Sequence, residues 1–264
     1  MSTRNSTVLC EVQNDIALIT LDRQEAANSI DLNLARELMH AVLRCGEDPA
    51  VRAVVITGRG STFCVGGDLR SFAAQGERLS LHLKEVTIYL HATVSRLTRM
   101  DPPVIAAVNG TAAGAGMSLA CAGDLVLAAE SARFTMAYTK VGLTPDGSST
   151  YFLPRLVGLR RALELTLTNR VLSAEEALDW GIVSRVVPEG ELMAEAEALA
   201  TDLASGATAA LGASKRLLYE GWTETLGTQL EYEGQTISDI SRTADGKEGV
   251  AAFLEKRAPK FKGE

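Results

Sequence analysis

The chain has 264 residues, of which 46% are hydrophobic and 22% charged, and it is long enough for one substantial core with a small appended module. Its net charge of −7 does not fit a nucleic-acid partner, because such partners need a clustered basic surface. No segment approaches the length of a transmembrane helix, and the N-terminus has no long apolar run that would predict a signal peptide. Four cysteines without metal-binding spacing are typical of buried thiols in a reducing compartment, so we expect a cytoplasmic protein with no metal site and no membrane partner.

The first hundred residues predict a hairpin, a helix, a buried strand and a helical region, in that order. Two β-rich runs, TVLCEV and IALITLD, are separated by QND and predict the hairpin. The segment DLNLARELMHAVLRCGED has apolar residues at helical spacing and Asp31 or Ser29 as its N-cap. VRAVVITG then predicts a buried strand, RGSTFCVGGDL a loop, and residues 70–100 a helical region.

The rest of the chain alternates strands with helices before it becomes wholly helical. PVIAAVNG, DLVLAAE and GIVSRVVPE predict strands, ARFTMA begins a further extended segment, and residues 148–181 predict helices. From about Glu191 the pattern is helical almost to the end. Alternating elements predict an α/β core over residues 1–190, and the strandless residues 191–264 predict a separate helical module.

A stretch rich in glycine and alanine, NGTAAGAGMSLACAGD, runs from Asn109 to Asp124 directly after a predicted strand. It has no Asp, Glu, Lys, Arg or His between Gly110 and Gly123, and a helix beginning near Gly114 would present unpaired N–H groups. Small residues let a carbonyl oxygen approach such groups closely, so one hypothesis is a backbone oxyanion site. Tight helix packing, which also favours glycine and alanine, is the alternative.

Two further observations bear on this stretch. Its glycine pattern is GxGxxx rather than the full dinucleotide motif, although Glu130 ends the next predicted strand, as a nicotinamide site requires. That motif normally belongs to the first βαβ unit, and here several elements precede it. A second glycine-containing turn, STFCVGGDL from Ser61 to Leu69, also follows a strand. Two such turns after neighbouring strands can converge on one oxygen.

Five motifs together resemble those of the crotonase, or enoyl-CoA hydratase/isomerase, superfamily. They are FCVGGDL, PPVIAAVNGTAAGAG, GDLVLAAESARF, LSAEEALDWGIVSRVVP and FLEKRAPKF, in the family's order and spacing from about Leu21 to Phe261. The resemblance implies a spiral of ββα units with C-terminal helices that drive assembly into a homotrimer or hexamer. It implies acyl-CoA thioesters as substrates, with coenzyme A as part of the substrate and no separate cofactor.

The resemblance also assigns the oxyanion donors and the hydratase carboxylates. By motif position, the two donors are the backbone N–H groups of Gly67 and Ala115. Hydratases of this family use two glutamates to add water, and their positions are Ser118 and Tyr138 in this sequence. Serine and tyrosine near their ordinary pKa values are poor general acids and bases, so ordinary hydratase activity is not expected.

One acidic residue, Asp146 in VGLTPDGSSTYFLPR, remains as a candidate catalytic group. Two branches of the family carry an acid at or near this position. In enoyl-CoA isomerases it shuttles a proton, and in 4-chlorobenzoyl-CoA dehalogenases it attacks the aromatic ring. The structural alternative is that Asp146 only caps the helix predicted to follow it.

His91 lies where the dehalogenase branch keeps a histidine, but that branch surrounds the ring with bulky aromatic side chains. The corresponding positions here are Leu90, Gly67 and Tyr138, so we rank isomerase above dehalogenase. A thioester hydrolase and a protein that binds acyl-CoA without turnover remain further alternatives.

Coenzyme A recognition is assigned by the same resemblance. The loop around Val65 and Leu69 faces the adenine end, arginines reach phosphates, and the tail completes the site across a subunit contact. A solvated surface charge is the alternative for each basic residue. The predicted substrate-binding residues are Arg23, Ala26, Val65, Asp68, Leu69, Arg70, His91, Tyr138, Phe253 and Lys256.

Overall fold

The structure is a computed structural model that describes residues 6–264, so part of the N-terminal stretch in which no signal peptide is predicted lies outside it. Its strands are β1 (Val8–Gln13), β2 (Ile16–Leu21), β3 (Ala53–Gly58), β4 (Thr62–Cys64), β5 (Val104–Val108), β6 (Thr111–Ala113), β7 (Leu125–Ala129), β8 (Arg133–Thr135), β9 (Leu172–Ser173) and β10 (Arg185–Val187). Its α-helices are α1 (Leu32–Glu47), α2 (Leu69–Ala73), α3 (Leu79–Leu97), α4 (Ala115–Cys121), α5 (Ser149–Val157), α6 (Leu159–Thr168), α7 (Ala174–Asp179), α8 (Leu192–Ala204), α9 (Thr208–Glu220), α10 (Leu226–Ile240) and α11 (Ala244–Glu255).

The predicted hairpin and first helix are confirmed. Strands β1 and β2 pair antiparallel, and the turn between them places Asn14 and Asp15 at positive φ, where short polar residues are tolerated. Asp31 rather than Ser29 caps α1, because its side chain accepts a hydrogen bond from the N–H of Leu34 at 2.8 Å. The apolar stripe of α1 is buried at Leu34, Ala35, Leu38, Ala41, Val42 and Cys45.

The strands form two sheets, and from β3 to β8 successive strands belong alternately to one sheet and the other. A six-stranded sheet has the order β1-β2-β3-β5-β7-β10, and a four-stranded sheet has the order β4-β6-β8-β9. Strand β3 enters the large sheet and β4 the small one, and the pairs β5–β6 and β7–β8 repeat this division. Each repeat therefore turns from one sheet into the other and then into a helix, which is the predicted spiral of ββα units.

The sequence predictions missed three short strands. Strand β4 lies in a predicted loop and β6 in the glycine-rich stretch, and β9 lies within residues 148–181, where only helices were predicted. Each has only two or three residues, too few for an alternating pattern to be recognised. Two of them matter for function, because β4 and β6 lead directly into the two glycine turns.

Helix α8 packs on one face of the large sheet. Its Ala196, Ala200 and Ala204 are buried in an apolar layer with side chains of β3, β5 and β7. A larger apolar cluster, which includes α1 and α3, forms the main core of the protein. The predicted helical module, residues 191–264, therefore begins with a helix, α8, that packs on the large sheet.

Helix α9 is tied to the core by a buried charge. The Nζ atom of Lys215 lies 2.9 Å from Asp124 Oδ2 and donates hydrogen bonds to the carbonyl oxygens of Leu97 and Pro102. Three acceptors around one buried ammonium compensate its desolvation. Arg216 adds an ion pair with Asp101 on the same side of the helix.

Helices α10 and α11 leave many apolar side chains exposed. Helix α10 buries none of its residues, and Leu226 and Ile237 are 76% and 73% exposed. Helix α11 exposes Phe253 and Leu254 in the same way. Across residues 6–264, no helix combines the length and the apolar character needed to cross a bilayer.

Candidate active site

The two glycine turns meet because they follow adjacent strands. Strands β4 and β6 pair in parallel, so the turns after them emerge at the same edge of the small sheet. Gly66 has φ of +93° and Gly114 has φ of +52°, a region that favours glycine. A Cβ atom at Gly66 would lie 2.9 Å from the Ala113 oxygen and 3.1 Å from the Ala115 nitrogen, so the turns pack directly against each other.

The backbone around Gly67 is held by a bridge to Ile30. The N–H of Ile30 donates to the Gly66 oxygen at 2.7 Å, and the N–H of Asp68 donates to the Ile30 oxygen at 2.9 Å. Ala115 is the first residue of α4. Within residues 6–264, the N–H groups of Gly67 and Ala115 have no protein acceptor, and both residues line the same cavity. This arrangement is what the predicted oxyanion pair requires.

Tight packing accounts for other glycines of the stretch. A Cβ atom at Gly110 would lie 2.0 Å from the Ser61 oxygen, and one at Gly116 would lie 2.0 Å from the Cys64 oxygen. The packing and oxyanion interpretations therefore apply to different glycines of one segment. The dinucleotide alternative fails, because the strand before the turn, β6, and the strand ending before Glu130, β7, lie in different sheets.

The cavity beside the turns has a volume of about 350 Å³. Its far wall, which the sequence left unspecified, comes mainly from one face of α3. The α3 residues that line it are Leu83, Lys84, Val86, Thr87 and Leu90. Four of these residues, Leu83, Val86, Thr87 and Leu90, have the i, i+3, i+4 and i+7 spacing that identifies a helical face in the sequence. Val141 and Leu143 also line the cavity, so the wall is mainly apolar.

Asp146 lines the cavity and does not cap a helix. The N-cap of α5 is Ser148, without a side-chain cap, and the Asp146 main-chain oxygen accepts from Ser149. The Asp146 carboxylate accepts a 2.6 Å hydrogen bond from the Tyr138 hydroxyl through Oδ1. Its Oδ2 atom lies 3.8 Å from His91 Nε2. The capping alternative for Asp146 is therefore wrong.

Tyr138 stands between Asp146 and Ser118. Its hydroxyl oxygen lies 3.1 Å from Ser118 Oγ, and Ser118 is fully buried. Burial, and then the negative charge of Asp146, raise the pKa of the Tyr138 hydroxyl. Tyr138 therefore remains a proton donor to the carboxylate at physiological pH.

His91 is half exposed beside the site rather than in the cavity wall. Its Nε2 atom accepts a hydrogen bond from the Gly147 N–H at 3.3 Å. A nitrogen that accepts this bond carries no proton, so it does not donate to Asp146 in this arrangement. The 3.8 Å separation between Nε2 and Asp146 Oδ2 is also longer than a hydrogen bond.

The residues predicted to bind coenzyme A fall into two groups. Val65 and Leu69 line the cavity mouth and are partly exposed. Ala26 is the last residue of a 3₁₀ turn. The main-chain oxygen of the following residue, Ala27, accepts a hydrogen bond from the Val65 N–H. The loop from Gln24 to Ala27 is therefore joined to the cavity mouth.

The charged members of the set have other contacts within the chain. Arg23 Nη2 lies 2.8 Å from Asp68 Oδ2, and Asp68 also caps α2 by accepting from the Arg70 N–H. Phe253 is exposed and Lys256 ends α11, and neither lines the cavity of its own chain. The phosphate and adenine contacts of these residues stay predictions.

Fold and site together define an α/β protein with a mainly apolar cavity. Among residues 6–264, this cavity is lined by one carboxylate and by two residues whose backbone N–H groups have no protein acceptor. The family model described as enoyl-CoA hydratase/isomerase matches residues 11–264, and the chain belongs to this family, the crotonase superfamily. A solved structure of a putative enoyl-CoA hydratase/isomerase from Mycobacterium abscessus is 37% identical, with a TM-score of 0.92, covering 97% of this chain and 100% of that one. The predicted fold is thereby confirmed.

Curated relatives in the family carry different activities. The chain is 40% identical to 1,2-epoxyphenylacetyl-CoA isomerase of Escherichia coli K12, over 97% of this chain and 98% of that protein. It is 36% identical to 4-chlorobenzoyl coenzyme A dehalogenase-2 of an Arthrobacter species, over 86% and 83% of the two chains. The predicted family and its acyl-CoA substrates agree with these relatives, whose reactions differ from one another.

Proposed function

We propose that this protein is an enoyl-CoA isomerase in which Asp146 shuttles a proton between two carbons of the acyl chain. The observation that carries the proposal is that, among the described residues lining the cavity, Asp146 is the only carboxylate. It shares that cavity with the Gly67 and Ala115 N–H groups. A base and two oxyanion donors are sufficient for a double-bond shift.

The proposed reaction begins with the thioester oxygen bound by the N–H groups of Gly67 and Ala115. Asp146 Oδ2 removes a proton from C2 of a 3-enoyl-CoA, and the electron pair moves onto the thioester oxygen as a dienolate. The protonated Asp146 then returns the proton to C4, and the double bond moves from C3–C4 to C2–C3. No atom is gained or lost, and the carboxylate is regenerated.

The apolar wall supports an uncharged acyl group as the substrate. Leu83, Val86 and Leu90 of α3 line the cavity together with Val141 and Leu143, and no carboxylate besides Asp146 lines it among the described residues. A charged acyl terminus would lose hydration there without a paired partner. Lys84 is the exception in this wall, and it is exposed to solvent.

Conversion of 3-enoyl-CoA to 2-enoyl-CoA tests the proposal, with hydration of crotonyl-CoA measured beside it. We expect the shift to proceed and hydration to fall well below the typical enzyme range of about 1–10³ per second. The physical reason is that Ser118 and Tyr138 occupy the two hydratase positions, and Tyr138 stays protonated. Rapid hydration with no double-bond shift would overturn the assignment.

A dehalogenase-like reaction is the second candidate, and His91 supports it. His91 Nε2 lies 3.8 Å from Asp146 Oδ2, and it would assist water after Asp146 has attacked an aromatic ring if the Gly147 N–H released this nitrogen. The cavity has few aromatic side chains, Phe72 and Tyr138, to hold such a ring. Chloride release from 4-chlorobenzoyl-CoA without isomerase activity would make Asp146 a nucleophile. Binding of a saturated acyl-CoA without turnover of any of these thioesters would indicate an acyl-CoA-binding protein.

We also propose that the protein assembles as a homotrimer or a dimer of trimers. The exposed apolar side chains of α10 and α11, including Leu226, Ile237 and Phe253, are unfavourable in contact with water. Multi-angle light scattering at micromolar concentration is expected to give a mass of three or six chains. A monomer under these conditions would contradict the prediction.

A further inference from the structure

Two side chains hold Asp146 from opposite ends of the residue. We propose that Ser118 and Tyr138 are positioning residues, which keep Oδ1 of Asp146 occupied and leave Oδ2 as the single oxygen that carries the proton. This inference rests on the proposed function, because it concerns the orientation of the proposed base. Neither side chain is required to exchange a proton with the substrate.

Ser118 and Tyr138 place two hydroxyl groups beside Asp146, and the single proton of Ser118 is donated to one acceptor at a time. The Tyr138 hydroxyl donates to Asp146 Oδ1 at 2.6 Å, and Ser118 Oγ lies 3.1 Å from the same hydroxyl. Ser118 Oγ is also 3.0 Å from the main-chain oxygen of Asp146. One buried serine therefore lies within hydrogen-bond distance of both the tyrosine that holds the carboxylate and the backbone that carries it.

The space around Ser118 is equally restrictive. Gly147 has φ of +60°, and a Cβ atom built on it would lie 3.0 Å from Ser118 Cβ and 3.3 Å from Leu90 Cδ2. The turn that carries Asp146 thus packs directly on Ser118, which is 0% exposed. A side chain longer than serine at this buried position needs space that the turn now fills. Position 118 is therefore fitted to hold Asp146 and not to supply a second acid.

Orientation matters because the Asp146 side chain is partly accessible to water, with 27% of its surface exposed. A carboxylate free to rotate about its last bond would turn its protonated oxygen toward solvent between the two transfers. The captured proton would then exchange with water before it returned to the substrate. With Oδ1 fixed by Tyr138, the proton on Oδ2 stays with the dienolate.

The test compares Tyr138→Phe with a matched control, Tyr219→Phe. The Tyr219 hydroxyl donates to Asp124 Oδ1 at 3.3 Å, so the control removes another tyrosine–aspartate hydrogen bond away from the cavity. Each protein converts 3-enoyl-CoA in D₂O, and kcat, KM and the deuterium content of the product are measured. For Tyr138→Phe we expect kcat to fall about 10- to 100-fold, as for loss of a hydrogen bond to a charged group, with little change in KM. Deuterium incorporation should rise above that of the wild type, and Tyr219→Phe should match the wild type in all three.

Ser118→Ala provides a second variant, with an expected smaller decrease in kcat and the same rise in deuterium incorporation. Unchanged deuterium incorporation in both variants, or complete exchange already in the wild type, would overturn the inference. Failure of the proposed function looks different, since Asp146→Asn would then retain isomerase activity. A lower kcat in Tyr138→Phe without increased exchange would show a structural role only, and would also overturn the inference.

Discussion

Asp146→Asn is expected to lower kcat/KM for double-bond migration by about 10² or more, because the amide cannot accept the proton that the carboxylate removes. The substitution keeps the shape of the side chain, and the asparagine Oδ1 atom can still accept from the Tyr138 hydroxyl. Folding and acyl-CoA binding should therefore stay close to those of the wild type. Initial rates with 3-enoyl-CoA measure the first effect, and calorimetry with a saturated acyl-CoA measures the second.

Asp202→Asn is a suitable control, because Asp202 is an exposed residue of α8 outside the cavity. It should leave the rate unchanged. Asp146→Ala should lose activity to a similar degree without the instability of a lost helix cap, since Asp146 does not cap α5. Full isomerase activity in Asp146→Asn would remove Asp146 from the mechanism and leave the site without a base.

Ala115→Pro is expected to reduce kcat by about 10²–10³, the usual consequence of removing one oxyanion donor. Backbone donors cannot be deleted by ordinary substitutions, but proline lacks the N–H group and is tolerated at the first residue of a helix. Ala115 occupies that position in α4, and its N–H has no acceptor within residues 6–264. The substitution therefore removes a donor without breaking a hydrogen bond between described residues.

Ala244→Pro is the matched control for this variant. Ala244 is the exposed first residue of α11, and its preceding residue, Thr243, is in the extended conformation that proline favours. Circular dichroism and thermal unfolding should give similar curves for both variants and the wild type. Wild-type turnover in a folded Ala115→Pro protein would show that this N–H does not bind the thioester oxygen.

The sequence indicated the backbone of the site better than its side chains. The resemblance to the family assigned the N–H groups of Gly67 and Ala115 by motif position, and the structure places both residues in the wall of one cavity. Asp146, Tyr138 and His91 were all predicted site residues, yet the contacts of Tyr138 and His91 with the carboxylate were not predicted, because the fold and not a local pattern brings them together. Tyr138 was predicted only to bind substrate, whereas its hydroxyl contacts the carboxylate.

The cavity wall was beyond sequence analysis for a different reason. Leu83, Val86 and Leu90 form one face of α3, but a helical face gives no information about which element it will meet. The same holds for Arg23, whose pairing with Asp68 joins two segments far apart in the chain. Short strands such as β4 and β6 were missed because pairing, and not local propensity, defines them.

The contact between Ser118 and the Gly147 turn has an evolutionary consequence. Ser118 is fully buried with its Oγ 3.0 Å from the Asp146 main-chain oxygen, so the larger side chain of a glutamate at position 118 needs space that this turn now fills. An evolutionary path from this site to a site with two glutamates would therefore not begin with Ser118→Glu alone. The order of mutations is constrained, with changes in the length or conformation of the Asp146 turn preceding the new acid. Relatives with the same fold and different reactions would then be separated by a loop rearrangement as well as by the identity of their catalytic side chains.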